Sequence, residues 1–174
     1  MYSGSCSALT CAASGDDGCP GETTSTYMNF ESTLDTEYYI FLGGFGGGGG
    51  EGGPAEAGAY RLTISDSTFA PTSSPTATPF SVGCLTATPM NIDDMASGST
   101  VEALEFSNQA CGGLAEVLPL TRGVWYQVTG TGFPTTVESC SEGTDFNTIV
   151  SGGIAQHGCV AFLLCLLHVC LCFG

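Results

Sequence analysis

Ten cysteines, two aspartate pairs and a single tryptophan are the residues of this 174-residue chain whose types and spacing can do chemistry. Cys6, Cys11, Cys19, Cys84, Cys111 and Cys140 sit among turn-forming residues, not in paired CxxC knuckles. A zinc ribbon needs two such knuckles at fixed spacing, so disulfides formed in an oxidising compartment are the expectation, with buried free thiols as the alternative. Six cysteines allow fifteen pairings. Cys84 with Cys111 is the preferred pair, leaving Cys6, Cys11, Cys19 and Cys140 to pair among themselves.

Asp16 and Asp17, with Glu22, offer oxygens to Ca²⁺ in a loop held by Cys19, or form a solvated acidic turn. The full ligand spacing of an EF-hand is absent, which favours the turn. Asp93 and Asp94 form a second acidic pair with less context. His157 and His168 are the only imidazoles, and neither stands in a Ser-His-Asp or Cys-His context. No catalytic residue is assigned, and calcium is the one cofactor the residues suggest. Trp125, with Tyr38 and Tyr39, can stack on sugars where exposed, although aromatics in strands more often pack in a core.

The Gly-rich run from Gly43 to Pro54 matches G-x-G-x-x-G, yet it leads into Glu-Gly-Gly-Pro with neither a helix start nor a Lys to hold phosphate. It reads as a mobile hairpin loop. Lys+Arg 2 against Asp+Glu 17 gives a net charge of -15. Such a surface repels nucleic acids and anionic membranes and favours cations or basic surfaces.

The elements that position these residues read as short strands. Gly 26 and Pro 8, with much Ser and Thr, favour strands and turns over helices. Ala59–Ile64 alternates, with Tyr60, Leu62 and Ile64 inward and Arg61 and Thr63 outward. Further strands are expected at Tyr27–Phe30, Glu37–Leu42 and Val101–Phe106, with Val82–Thr88 and Thr144–Val150 additional stretches. Gly123–Thr129 puts Val124, Tyr126 and Val128 on one face and Trp125, Gln127 and Thr129 on the other; with Gly-Thr-Gly and Pro134–Glu138 it reads as a central β-hairpin. A Pro/Thr/Ser linker at 67–79 separates residues 1–66 from 80–161.

The two ends share a pattern: Ser3, Gly4, Cys11 and Ala13 fall on Ser151, Gly152, Cys159 and Ala161 at one constant offset. Gly123-Val124-Trp125-Tyr126 to Gly130-Thr131-Gly132, then Ser139-Cys140, Thr144 to Thr148 and Ser151-Gly152, resemble the earlier half of the secreted β-sandwich modules related to the bacterial pre-peptidase C-terminal domain. Tyr2 to Cys6, Leu9-Thr10-Cys11, Asp16 to Cys19, Thr36 to Ile40 and Gly58 to Ile64 resemble the later half. The halves stand in swapped order, as in a slice through a tandem array. The resemblance implies an all-β antiparallel sandwich, jelly-roll or immunoglobulin-like and circularly permuted from two half repeats, with a binding or maturation role beside a catalytic or surface partner.

Met1 is followed by neither a basic stretch nor an apolar run, so no signal peptide is legible there, and a start upstream or a longer secreted chain is expected. After Ala161 the pattern gives way to the apolar run 162–174, read as translated non-coding sequence and not the native continuation. As a helix, Cys159 to Gly174 would span about 24 Å, short of a bilayer core of about 30 Å; a membrane is a partner only if that run is native. The expected function is a non-catalytic extracellular binding, adhesion or accessory module whose partner is a protein or glycan. The alternative is a piece of a secreted peptidase or glycosidase whose catalytic domain lies elsewhere.

Overall fold

A computed structural model of the chain describes residues 2–3, 9–45, 56–66, 83–103, 105–106 and 121–154. Twelve strands follow in chain order: β1 Tyr2–Ser3, β2 Thr10–Cys11, β3 Ala13–Asp16, β4 Tyr27–Glu31, β5 Glu37–Gly44, β6 Ala59–Asp66, β7 Thr88–Pro89, β8 Met95–Ser99, β9 Glu105–Phe106, β10 Thr121–Thr129, β11 Pro134–Glu138 and β12 Thr148–Ile154. Among the described residues the one helical element is a 3₁₀ turn at Cys84–Thr86.

The strands form two packed sheets, an all-β sandwich. One has four antiparallel strands in the order β4-β11-β6-β8. The other is built around β5, flanked by β10 and β12, with β3 beyond β12, β7 running parallel to β10, β9 at the start of β10, β1 paired with β5 and β2 beyond β1. Strand alternation fills the space between the sheets. Tyr38, Ile40 and Leu42 of β5, Tyr60, Leu62 and Ile64 of β6, Val124, Tyr126 and Val128 of β10, Val137 of β11 and Val150 of β12 make one cluster.

The order of pairing follows one rule. β5 lies antiparallel to β10, β4 to β11, and β3 to β12. Residues 13–44 and 121–154 thus form a two-chain ribbon that passes between the sheets twice. At one corner Gly130 N–H donates to Thr36 O (2.8 Å) and Asp35 N–H to Gly130 O (3.0 Å). A Cβ on Gly130 would lie 2.4 Å from Thr33 O, so this tight crossing requires glycine. At the other corner Ser139 N–H donates to Thr26 O (2.9 Å) and Thr148 N–H to Thr24 O (2.8 Å).

This arrangement corrects several expectations. Residues 123–138 are not a hairpin: β10 and β11 belong to different sheets, because seven consecutive residues of β10 pair with β5 and the connection travels with the β4–β5 connection across the corner. Of the Gly-rich run, Gly43 and Gly44 are the end of β5, Glu56 N–H donates to Phe45 O (3.1 Å), and β5 and β6 lie in opposite sheets; residues 46–55, expected as a mobile hairpin loop, lie outside the described residues. The strand expected at Val101–Phe106 is shorter: Val101 and Glu102 turn, and Glu105–Phe106 is strand, paired with β10, while Met95–Ser99 just before it pairs with β6. In the stretch Thr144–Val150, residues 144–147 are loop and β12 begins at Thr148.

A second apolar layer covers the outer side of the larger sheet. Phe41 and Trp125 stack at 5.1 Å between ring centroids and pack with Cys84, Leu9, Tyr39 and Ala87. The Phe41 ring occupies the space above Gly123, where a Cβ would come within 2.2 Å of it.

Candidate functional site

The outer face of the four-stranded sheet carries the polar half of each alternating strand. Tyr27, Asn29 and Glu31 of β4 are exposed, while Met28 is buried and Phe30 half-buried. Beside them lie Pro134, Thr136 and Glu138 of β11, in register as Glu31↔Pro134, Asn29↔Thr136 and Tyr27↔Glu138. Tyr27, Asn29, Phe30, Glu31, Pro134 and Thr136 line an open depression. Asn29 Nδ2 donates to Tyr27 Oη (2.9 Å), and Thr136 Oγ1 donates to Asn29 Oδ1. These bonds hold an aromatic ring, an amide and a hydroxyl in fixed relation. Burial pushes the Glu138 carboxyl above the usual carboxylate range. On the opposite edge Arg61 directs Nε to Met95 Sδ, so the basic end of the face lies over β8.

Cys19 and Cys140 are joined by a disulfide. They lie in the β3–β4 and β11–β12 connections, so the bond fastens one corner of the ribbon. Beside it is a buried hydroxyl knot: Thr26 N–H donates to Ser139 Oγ (2.9 Å) and Thr148 Oγ1 (3.1 Å), Thr26 Oγ1 donates to Thr148 O, and Ser139 Oγ and Thr148 Oγ1 share a bond of 2.6 Å. Every hydroxyl is paired, as burial demands. Cys11 and Cys84 each take part in a disulfide as well. Cys6 and Cys111 lie outside the described residues, as do both histidines, and so does the preferred Cys84–Cys111 pairing as a pair.

Asp16 ends β3, opposite Ile149, and Asp17 turns the chain with φ 59°. Asp16 Oδ1 is buried with no hydrogen bond, and burial, then the neighbouring Asp17 charge, pushes its carboxyl up. Among the described residues no three His, Cys, Asp or Glu side chains gather as a metal site would require. Trp125 is 7% exposed, and Phe41 and the Cys84 segment occupy its surroundings, so it offers no open ring face for ligand stacking. It sits on β10, with β5 and β12 between it and Asp16 on β3. The structure therefore brings together Cys19 and Cys140 but does not join Trp125 with the aspartates.

The face around Tyr27 and Glu138 was not singled out from sequence. The alternation of Tyr27–Glu31 and of Pro134–Glu138 signals two outward-facing polar sets; that they are neighbours is invisible without the fold. Among the described residues no helix is long and apolar enough to cross a membrane. No protein-family model, curated protein or solved structure matches the chain.

Proposed function

We propose that this chain is a non-catalytic binding or adhesion module of an extracellular or cell-surface protein, one period of a tandem array, as the resemblance to pre-peptidase C-terminal modules implies. The observation that carries the compartment is the Cys19–Cys140 bond: it closes the chain across 121 residues at a corner both sheets depend on, and structural disulfides of this kind persist where thiols are oxidised. What supports the binding role is the outward face of the four-stranded sheet, where Tyr27, Asn29 and Thr136 are held by mutual hydrogen bonds in an open depression instead of packing against other elements. A large acidic surface with two Arg and no Lys favours basic partners and repels nucleic acid.

The test is retention of the oxidised full chain on arrays of extracellular proteins and glycans. Specific retention is expected, and it is expected to fall when Tyr27 is changed to Ala while Leu85→Ala, at a 90% exposed site elsewhere, leaves it intact. Retention on nothing, or retention indifferent to Tyr27, argues for a spacer instead. Hydrolysis of an arrayed component would favour the hydrolase reading.

A further inference from the structure

The four-stranded sheet ends on β4, with no strand beyond it among the described residues, and its hydrogen bonds reveal which groups that edge presents. Ser32 donates its N–H to Phe133 O (3.3 Å), and Thr26 O accepts from Ser139 N–H (2.9 Å); both bonds lie on the β11 side. In an antiparallel ladder a residue turns its N–H and its C=O to the same neighbour, and successive residues alternate. Thr26, Met28, Phe30 and Ser32 therefore serve β11, while Tyr27, Asn29 and Glu31 direct their backbone groups outward. Tyr27 N–H is taken by Asp17 O at 3.0 Å, where Gly18 and Thr26 bridge. Among the described residues, no backbone group bonds to the outward groups of Asn29 and Glu31.

Exposed edges are ordinarily blunted by Lys, Pro, a bulge or a covering element. β4 reads Tyr-Met-Asn-Phe-Glu and keeps an unbroken five-residue register with β11, so it has no Lys, no Pro and no bulge. Against a second copy of this chain the protection is electrostatic, since each copy carries a net charge of -15. That protection works in reverse for a cationic strand. Glu31 stands on the edge itself and Glu138 one strand behind it, next to Tyr27, whose ring face can accept a cation. The other edge, β8, has Arg61 over Met95 and otherwise Ser97 and Ser99 outward, so charge complementarity distinguishes the two edges.

We propose that the Asn29–Glu31 stretch of the β4 edge is the docking site for an extended basic segment of another protein, which adds to this sheet as a further short strand and sets Lys or Arg side chains at alternate positions beside Asn29 and Glu31. The intervening side chains of that segment fall on the inner side, next to the half-buried Phe30, and are small and apolar. Main-chain bonds to Asn29 and Glu31 supply affinity, and the carboxylates supply selectivity and sensitivity to salt. The proposal rests on the binding-module reading and names its partner class.

The experiment measures fluorescence anisotropy of a labelled peptide alternating lysine and valine, and of its glutamate counterpart, with the oxidised full chain. The lysine peptide is expected to bind, more weakly as salt rises, and the glutamate peptide is not. Asn29→Pro removes one outward N–H and no bond to β11, and Pro is tolerated on an edge strand; it is expected to weaken binding about tenfold, the equivalent of about 1.4 kcal/mol. Glu31→Lys with Glu138→Lys is expected to exchange the preference to the glutamate peptide, and this charge-reversed protein decides the matter should Asn29→Pro fail to fold. No binding of the lysine peptide, or binding untouched in either folded variant, overturns the proposal. If the lysine peptide fails while array retention persists, the docking site falls and the module reading stands; if both fail, both fall.

Discussion

Among single residues, Tyr60 and Tyr126 show how the core handles polarity. Their hydroxyls share a hydrogen bond of 2.6 Å between the sheets, with the rings edge-on at 6.5 Å. Burial pushes Tyr60 up to about 12, against the opposing effect of the Tyr126 hydrogen bond; burial, and then Tyr60, push Tyr126 up as well. Both phenols thus keep their protons in the folded state at a pH where the unfolded chain releases them near 10. Their contribution to stability is complete below about pH 10 and declines as pH rises toward about 12. The expected observation is phenolate absorbance from this pair appearing together with loss of β-sheet circular dichroism; phenolate formation with the sheet intact would contradict it. Tyr126→Phe leaves the Tyr60 hydroxyl buried without a partner and is expected to cost about 1–3 kcal/mol in urea unfolding, whereas the Tyr60→Phe/Tyr126→Phe double variant recovers part of that loss.

At the scale of elements, β5 and β10 show why glycine and aromatic residues alternate in the larger sheet. Gly43 and Gly123 face each other in the register, and the Phe41 ring lies across them, backed by Trp125. The small residues create the space, and the ring fills it, so both faces of this strand pair are packed. A Cβ at Gly123 would meet the Phe41 ring at 2.2 Å and Leu42 O at 2.6 Å. Gly123→Ala is therefore expected to destabilise by about 1–3 kcal/mol through overpacking. Gly143→Ala is the control: its Cβ would find Arg61 Cβ at an ordinary 3.5 Å, and a change within about 0.5 kcal/mol is expected in the same denaturation assay. Equal effects at the two positions would show that the Phe41 contact is not the cause.

At the scale of the whole molecule, the ribbon of residues 13–44 against 121–154 is what makes two sheets into one body, and Cys19–Cys140 secures the corner where β3 and β12 give way to β4 and β11. The bond closes 121 residues, so the unfolded chain loses much freedom while it is intact. Cys19→Ser with Cys140→Ser is expected to lower stability by about 2–5 kcal/mol, read as a lower urea midpoint under oxidising conditions. An unchanged midpoint would mean that the hydroxyl knot of Thr26, Ser139 and Thr148 holds the corner alone.

Strand character was legible in the chain by itself, because a period of two is a local property: Tyr60, Leu62 and Ile64, and Val124, Tyr126 and Val128, face the core as their alternation demands. All-β character followed from such runs together with the density of turn residues, and the antiparallel sandwich from the resemblance to pre-peptidase C-terminal modules. Pairing was not legible. Pro134–Glu138 looks like the return of a hairpin from Gly123–Thr129, yet its neighbours are β4 and β6, and no local feature of either strand names a partner so distant in sequence. Nor could alternation reveal that Trp125, on the side away from the main core, would be covered by the Cys84 segment, or that Cys140 would choose Cys19 among the cysteines available to it. Periodicity tells a residue which way to face; only closure of long loops between the two sheets determines what it meets there.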